Sequence, residues 1–555
     1  MRTVTFYSYK GGVGRTLAAT NFAVYLAKLG QRTVLLDFDL EAPGVDSKFP
    51  NLVIPSNHRG LLNYILHYQE TNSDPGPVEP LAIEVPPTLI SGSIAPLWLL
   101  PAGDYLSAEY YQMLSRLDWS FLFQERDGVA FFQQLLVRIK EEFRPDYLIV
   151  DSRTGIGEIA GVCTQQLADE VVILSSLSSE SIKVTKHIAQ LIRRSEVAKA
   201  LEKSIDIKVV VSRVPKLENL ENLKQRCCEL FDVEATKLFF LFSCPALEQE
   251  EFIALAAPQK DEELVASYVR LFYGLNVQLA AENIQAQIER TARSLLSQSP
   301  EESQNAIVEL VALYPHPDVY RTAMRFFHLV NKKKSMRNFA SRLLDFVPDD
   351  EEAQKELAKS YLAEFRIEPS DRKEALRAIE PLWKRRELSP KEVARYADLL
   401  EDEKRYSDSM QVALPLSSDE SADEETRVLA RSIAARCAVK FGRLDLAHDL
   451  ISNIPPSGLT GSLAIRAVEM RRDAGDHSGA FELATQVLRH QLVPELILLA
   501  GRLARDLNRI NDLESAVRSS ENLSDRRARR PFMIGEVAEA LGRIGLTNLA
   551  QELSM

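Results

Sequence analysis

Cysteine is scarce in this chain and falls into no pattern. Its five cysteines, Cys163, Cys227, Cys228, Cys244 and Cys437, form no CxxC pair and no zinc spacing, which fits reduced thiols in the cytoplasm. The eight histidines include no HExxH and no pairing with a cysteine nucleophile. No nuclease, protease or deaminase constellation is visible. Apolar runs long enough to span a bilayer are missing too. Positive charge is also short: 67 Lys and Arg stand against 79 Asp and Glu, a net charge of −12. Proteins that grip phosphate backbones carry basic surfaces, so generic nucleic-acid binding is disfavoured. Two local basic runs, Lys332–Lys334 and Arg526–Arg530, read as solvated faces or as a binding patch.

What remains is a soluble globular composition, 45% hydrophobic and 26% charged, spread over 555 residues. That length exceeds one ordinary core, so two or more domains are expected. Met1-Arg2-Thr3-Val4 leads straight into a strand, and no secretory signal is expected.

From residue 1 to about 275, apolar and β-branched runs alternate with amphipathic stretches. The runs are Val4–Ser8, Thr33–Asp37, Leu97–Pro101, Tyr147–Asp151, Val171–Ser175, Lys208–Ser212 and Leu238–Phe242. Continuous apolar strands joined by helical crossovers predict an α/β, doubly wound and mostly parallel sheet. From 276 to 555 the strand-like runs vanish and an all-α region is expected. Gly442, Gly475, Asn508 and Gly542 recur there at 33- or 34-residue spacing, each between apolar helical stretches. Gly and Asn tolerate the left-handed conformation of an interhelix turn. The period predicts helix–turn–helix repeats; an irregular bundle with coincidental spacing is the alternative. Repeats of this kind offer a long concave surface for another protein.

The chemistry is concentrated near the start. Lys10-Gly11-Gly12-Val13-Gly14-Arg15-Thr16 follows a strand and opens a helix. Glycines there let backbone N–H groups turn around phosphate oxygens, and the helix N-terminus adds partial positive charge. The phosphate-loop pattern wants lysine at position 15, where this chain has arginine. Thr16 can place its hydroxyl on Mg²⁺. Asp37 and Asp39 close the next strand in "LLDFDLEAPG", and Asp151 ends the apolar run of "DYLIVDSRTG". Acids at the carboxyl ends of parallel strands lie where phosphate and metal bind.

Taken together, "KGGVGRT", "DFDLEAPG" and "DSRTG" resemble the deviant-Walker ATPases of the ParA/MinD type, a class of P-loop NTPases, and in particular a subgroup with the KGGVGR loop. The resemblance covers about the first 270 residues. It implies ATP and Mg²⁺ as ligands, with Gly11, Gly12, Val13, Gly14, Arg15, Thr16, Leu17 and Arg213 contacting the nucleotide. It implies Thr16, Asp37 and Asp151 around the metal, and Asp39, 24 residues beyond Arg15, orienting the attacking water. Lys10 would reach across a homodimer to the partner's ATP, with Lys10, Arg15 and Asp39 serving catalysis. "CPALEQEEF" is a further subgroup feature with no role legible in its residues. The helical half, with its 34-residue period, resembles a degenerate tetratricopeptide solenoid.

Two positions depart from the ATPase pattern. Arg15 keeps the charge of the usual lysine but is planar and prefers a bidentate grip, which predicts retained binding and slow hydrolysis. Ser212-Arg213 stands where relatives carry a base-reading Asn. Arg153, beside Asp151, either stabilises charge on the γ-phosphate or contacts a partner subunit, or it pairs with a nearby acid. The resulting expectation is a cytoplasmic, slowly hydrolysing ATP switch that dimerises on ATP, with its helical half recruiting an unknown protein. A regulatory or antiviral defence setting follows from the resemblance alone. The alternatives are a nucleotide-sensing scaffold with negligible turnover, or an ATP-dependent DNA-partition protein. Membrane positioning is not expected, because "GRIGLTNLAQELSM" reads as the closing helix of a repeat.

Overall fold

The structure is a computed structural model describing all residues except 57, 91, 216–219, 257–260, 276–306, 310, 312, 313, 365, 366, 474, 521–530 and 555. The basic run Arg526–Arg530 therefore lies outside the described residues, as does the texture change expected at 275/276. Two compact units divide further on, Met1–Ala353 and Gln354–Met555.

Among its described residues the first unit is built on eight strands: β1 (Arg2–Ser8), β2 (Thr33–Asp37), β3 (Ile83–Glu84), β4 (Leu97–Leu100), β5 (Tyr147–Thr154), β6 (Glu170–Ser175), β7 (Asp206–Val214) and β8 (Leu238–Phe242). Their order is β3-β4-β2-β5-β1-β6-β7-β8, parallel throughout except for the short β3, which pairs antiparallel with β4. All seven strand runs read from the sequence are present. The eighth, β3, is two residues long and carried no periodic signal. β2 and β6 are buried at every position, as expected of a sheet covered on both faces.

The helix Arg15–Lys28 follows β1 directly and is buried along nearly its whole length. Its Phe22 ring packs 5.7 Å from Phe6 of β1 and 4.7 Å from Phe272 of the helix Glu262–Gly274. Burying each such ring stabilises by about 1.5–3 kcal/mol, so the helix that carries the phosphate-type loop is firmly seated. Register then places the acids. β2 and β5 run in parallel so that Asp37 stands opposite Asp151, and Phe6 of β1 stands on the other side of Asp151. The carboxyl ends of β1, β2 and β5 converge on one edge.

The second unit is a succession of helical hairpins. Glu424–Lys440 and Leu444–Ser452 meet at Gly442 (φ +79°), and Gly461–Asp473 and His477–His490 meet at Gly475 (φ +85°). Pro494–Asp506 and Ile510–Arg518 meet at Asn508 (φ +56°). Each turn closes in the same way, with the N–H after the left-handed residue returning to a carbonyl five residues back. Arg443 donates to Ala438 at 2.9 Å, Asp476 to Arg471 at 3.0 Å and Arg509 to Ala504 at 2.7 Å. The final turn corrects the sequence reading. Gly542 lies inside the helix Pro531–Arg543, and Gly545 (φ +88°) makes the bend, with Leu546 N–H reaching Leu541. Lys404 (φ +62°) closes an earlier hairpin identically. A lysine gives no turn signal, so that repeat was not legible.

Candidate functional site

The loop between β1 and its helix is held open by two left-handed glycines. Gly12 (φ +74°) and Gly14 (φ +80°) adopt conformations that L side chains rarely take, and Gly14 caps the helix. No acidic residue sits in the first helical turn to quench its N–H groups. Gly11, Gly12, Val13, Gly14, Arg15, Thr16 and Leu17 all border a cavity of about 430 Å³, together with Ser8, Asp39 and Arg213.

Arg15 does not simply occupy the lysine position; its guanidinium turns inward. Nε donates to Asp151 Oδ1 at 2.7 Å, and Nη2 donates to Asp39 Oδ2 at 2.8 Å and approaches Thr16 Oγ1 at 3.4 Å. The side chain is only 7% exposed. Burial by itself would lower the Arg15 pKa, but Asp151 and then Asp39 outweigh it, and the group is raised. Its third nitrogen, Nη1, is buried with no hydrogen-bond partner among the described residues. An orphaned donor on a buried cation that borders a cavity beside a glycine loop suits an anionic group.

The three acids divide their work. Asp39 accepts from Ala42 N–H at 3.2 Å and from Arg15. Asp37 accepts from the backbone of Asp39, Gly44 and Val45 at 3.1 to 3.2 Å, folding the loop after β2 around itself. Its pKa is pushed up to about 8 by burial and by facing Asp151, against the pull of those N–H donors. Asp151 is also raised by burial, with Arg15 and the Thr16 hydroxyl opposing. Neither Asp37 nor Asp151 borders the cavity itself. No three His, Cys, Asp or Glu side chains form a metal cage among the described residues. Thr16, Asp37 and Asp151 would suit Mg²⁺ only as a partial set completed by phosphate and water, which is how Mg²⁺ is commonly held.

Lys10 stands apart from this cluster. Its Nζ pairs with Glu180 Oε2 at 2.6 Å on the surface, outside the cavity of its own chain. Arg153 pairs with Glu41 Oε1 at 2.5 Å, so of its two open readings this structure has the ion pair. Arg213 lies on the cavity wall in a left-handed conformation (φ +55°), at a register break between Val211 and Val214 of β7. Non-glycine residues are held there at a cost, and such strain gathers at ligand sites.

The sequence reading missed one wall. Cys244, Leu247, Glu248 and Glu251, all within "CPALEQEEF", border the cavity. Glu251 pairs with Lys48 from the loop that follows β2. The continuation is pinned from below: Lys28 Nζ donates to Leu255 O at 2.9 Å, and Leu255 N–H donates to Asn21 Oδ1 at 3.0 Å. The motif was visible in the sequence, but nothing local said which strand ends it would approach.

Residues 4–241 match the family model described as the CobQ/CobB/MinD/ParA nucleotide binding domain. That match covers most of β1 through most of β8, with the loop and all three acids inside it. The chromosome-partitioning ATPase Soj of Treponema pallidum (strain Nichols) is 26% identical over 156 residues, covering 28% of this chain. The matched region spans about 50% of that curated relative's length. Among solved structures, the MinD cell division protein of Aquifex aeolicus is 19% identical, covering 50% of this chain and 99% of that one at a TM-score of 0.35. A ParA family ATPase from Chlorobium tepidum TLS is likewise 19% identical, with coverage of 50% and 99% and a TM-score of 0.34.

Proposed function

We propose that the chain is a Mg²⁺-dependent, ATP-binding switch that hydrolyses ATP slowly, forms an ATP-sandwich homodimer and uses its helical hairpins to recruit a protein partner. The observation that carries the nucleotide reading is the buried Nη1 of Arg15, without a partner among the described residues, on a side chain that borders the cavity with an open glycine loop. Gly11 to Gly14 offer backbone N–H groups to the phosphates, and Arg15, Leu17 and Arg213 complete the contacts. Thr16, Asp37 and Asp151 hold the metal, directly or through water, and Mg²⁺ supplies neutralisation of charge between the phosphates. Asp39 orients the attacking water. Lys10, already at the surface, is free to act across the dimer once it leaves Glu180.

The Arg15–Asp39 contact supports a slow rate, because the water-orienting acid is engaged by the same arginine that must bind phosphate. The contact equally favours a scaffold that binds nucleotide with negligible turnover. A partition role is less favoured by the net charge of −12. Among the described residues no helix is long and apolar enough to cross a membrane, and we place the protein in the cytoplasm. The division we propose puts the ATPase in residues 1–275 and the tetratricopeptide-like region in 276–555. A bacterial regulatory or antiviral setting rests on the loop's resemblance alone.

The test is nucleotide binding and phosphate release by the purified full chain. Binding with slow, Mg²⁺-dependent release supports the switch. Binding without release selects the scaffold, and no binding of any nucleotide removes both.

A further inference from the structure

Arg15 touches two of the groups proposed for the metal, Asp151 and Thr16, and the acid proposed to orient the water, Asp39. Its fork lies against Asp151 Oδ1 (2.7 Å), Asp39 Oδ2 (2.8 Å) and, more loosely, Thr16 Oγ1 (3.4 Å). A guanidinium and a metal ion cannot share those atoms. For the metal to enter, the arginine must leave. Taking a buried guanidinium off its carboxylates is costly unless another anion receives it. The one nitrogen it has to spare is Nη1, buried and without a hydrogen-bond partner among the described residues, on a side chain that borders the cavity with the glycine loop.

We propose that Arg15 is a pivot that makes divalent-cation binding conditional on phosphate. It serves as internal counter-ion to Asp39 and Asp151 while the site is free, and exchanges them for phosphate when nucleotide enters. The exchange bares the metal-binding oxygens only once phosphate is present to complete the metal's shell. The inference rests on the nucleotide reading above and adds an order of events to it.

Arginine suits this exchange where lysine would not. A lysine ammonium is a compact point charge, whereas the planar fork spans two carboxylates and still keeps a third donor for the incoming anion. The substitution at position 15 is then not a weakened phosphate loop. It is a loop whose cation has two sets of partners.

The pivot makes a prediction opposite to that of a purely structural ion pair. Removing one of the carboxylates frees the arginine, so Asp39→Asn should bind a fluorescent ATP analogue more tightly in EDTA, by about tenfold. The same change in an Arg15→Gln background should bring no gain, because the gain runs through the guanidinium. Equal gains in both backgrounds would reveal a plain field effect of the lost charge and overturn the pivot. No gain in the wild-type background overturns it as well.

A second measurement needs no variant. Mn²⁺ uptake by the wild-type chain, followed by paramagnetic resonance, should require nucleotide. Uptake of equal affinity without nucleotide overturns the proposal even if Arg15→Gln fails to fold. These failures are separable from failure of the nucleotide reading. If the analogue binds but the cycle is additive, only the pivot falls. If the analogue binds the wild type under no condition, both fall together.

Discussion

Arg15 and Asp151 lie 136 residues apart in the chain, yet meet with Nε 2.7 Å from Oδ1, and neither side chain is more than 7% exposed. The pair exists because β1 and β5 are neighbours in register, with Phe6 opposite Asp151, so the helix after β1 starts over the carboxyl end of β5. A buried ion pair of this kind adds little net stability compared with an apolar pair. Breaking it is another matter.

Arg15→Ala should therefore destabilise the chain by about 3–5 kcal/mol, because two buried carboxylates lose their cation together. Denaturant unfolding at pH 7 measures it. The loss should shrink when Asp39 and Asp151 are both changed to Asn in the same chain, since no uncompensated charge then remains. A loss below about 1 kcal/mol would mean that water reaches these acids and that the triad is not the buried unit described here.

Lys10→Ala should behave in the opposite way. Its ion pair with Glu180 is exposed on both sides, and such pairs contribute about 0–1 kcal/mol. Thermal unfolding should be nearly unchanged. Size-exclusion chromatography with and without ATP then reads the proposed role cleanly: the wild type shifts to a dimer with ATP, and the variant stays monomeric. A wild-type chain that is monomeric under every condition removes the sandwich.

Lys28 carries a pH prediction. Burial lowers its pKa to about 8, and its Nζ is held by the carbonyl of Leu255. Between about pH 8 and its unfolded value near 10.5, the unfolded chain binds a proton that the folded chain has released. Stability should therefore rise with pH across that window, by on the order of 2–3 kcal/mol from this group. Unfolding free energies of wild type and Lys28→Met, compared at pH 7.5 and pH 10, isolate the effect: the wild type should gain stability relative to the variant as pH rises. A constant difference sinks the assignment.

The last repeat gives a paired test of backbone geometry. Gly545→Ala must adopt a left-handed φ of +88° and should cost about 1 kcal/mol. Gly542→Ala lies in the last turn of a helix where an added Cβ meets nothing within 4 Å, and should gain about 0.5–1 kcal/mol. Chemical denaturation of the two variants should move in opposite directions. Loss at Gly542 with none at Gly545 would restore the regular 34-residue spacing.

Much of this protein follows from local order along the chain. Continuous apolar runs bounded by helical periods specify a buried parallel sheet, because such segments have no face to give to water. The glycine loop and the acids at strand ends were legible for the same reason: each is a short run whose residue types dictate backbone shape or charge. The hairpin turns at Gly442, Gly475 and Asn508 were legible because few residues tolerate their φ. Tertiary structure decided the rest. Only strand order could say that Arg15 would find Asp39 and Asp151 instead of pointing into the loop, since the three are brought together by register and not by spacing. Only packing could turn "CPALEQEEF" into a cavity wall, through Lys28, Asn21 and the Lys48–Glu251 pair. Local propensity writes the elements. Which charges become neighbours is settled by how the sheet stacks them, because a buried charge must find its partner wherever the fold delivers one.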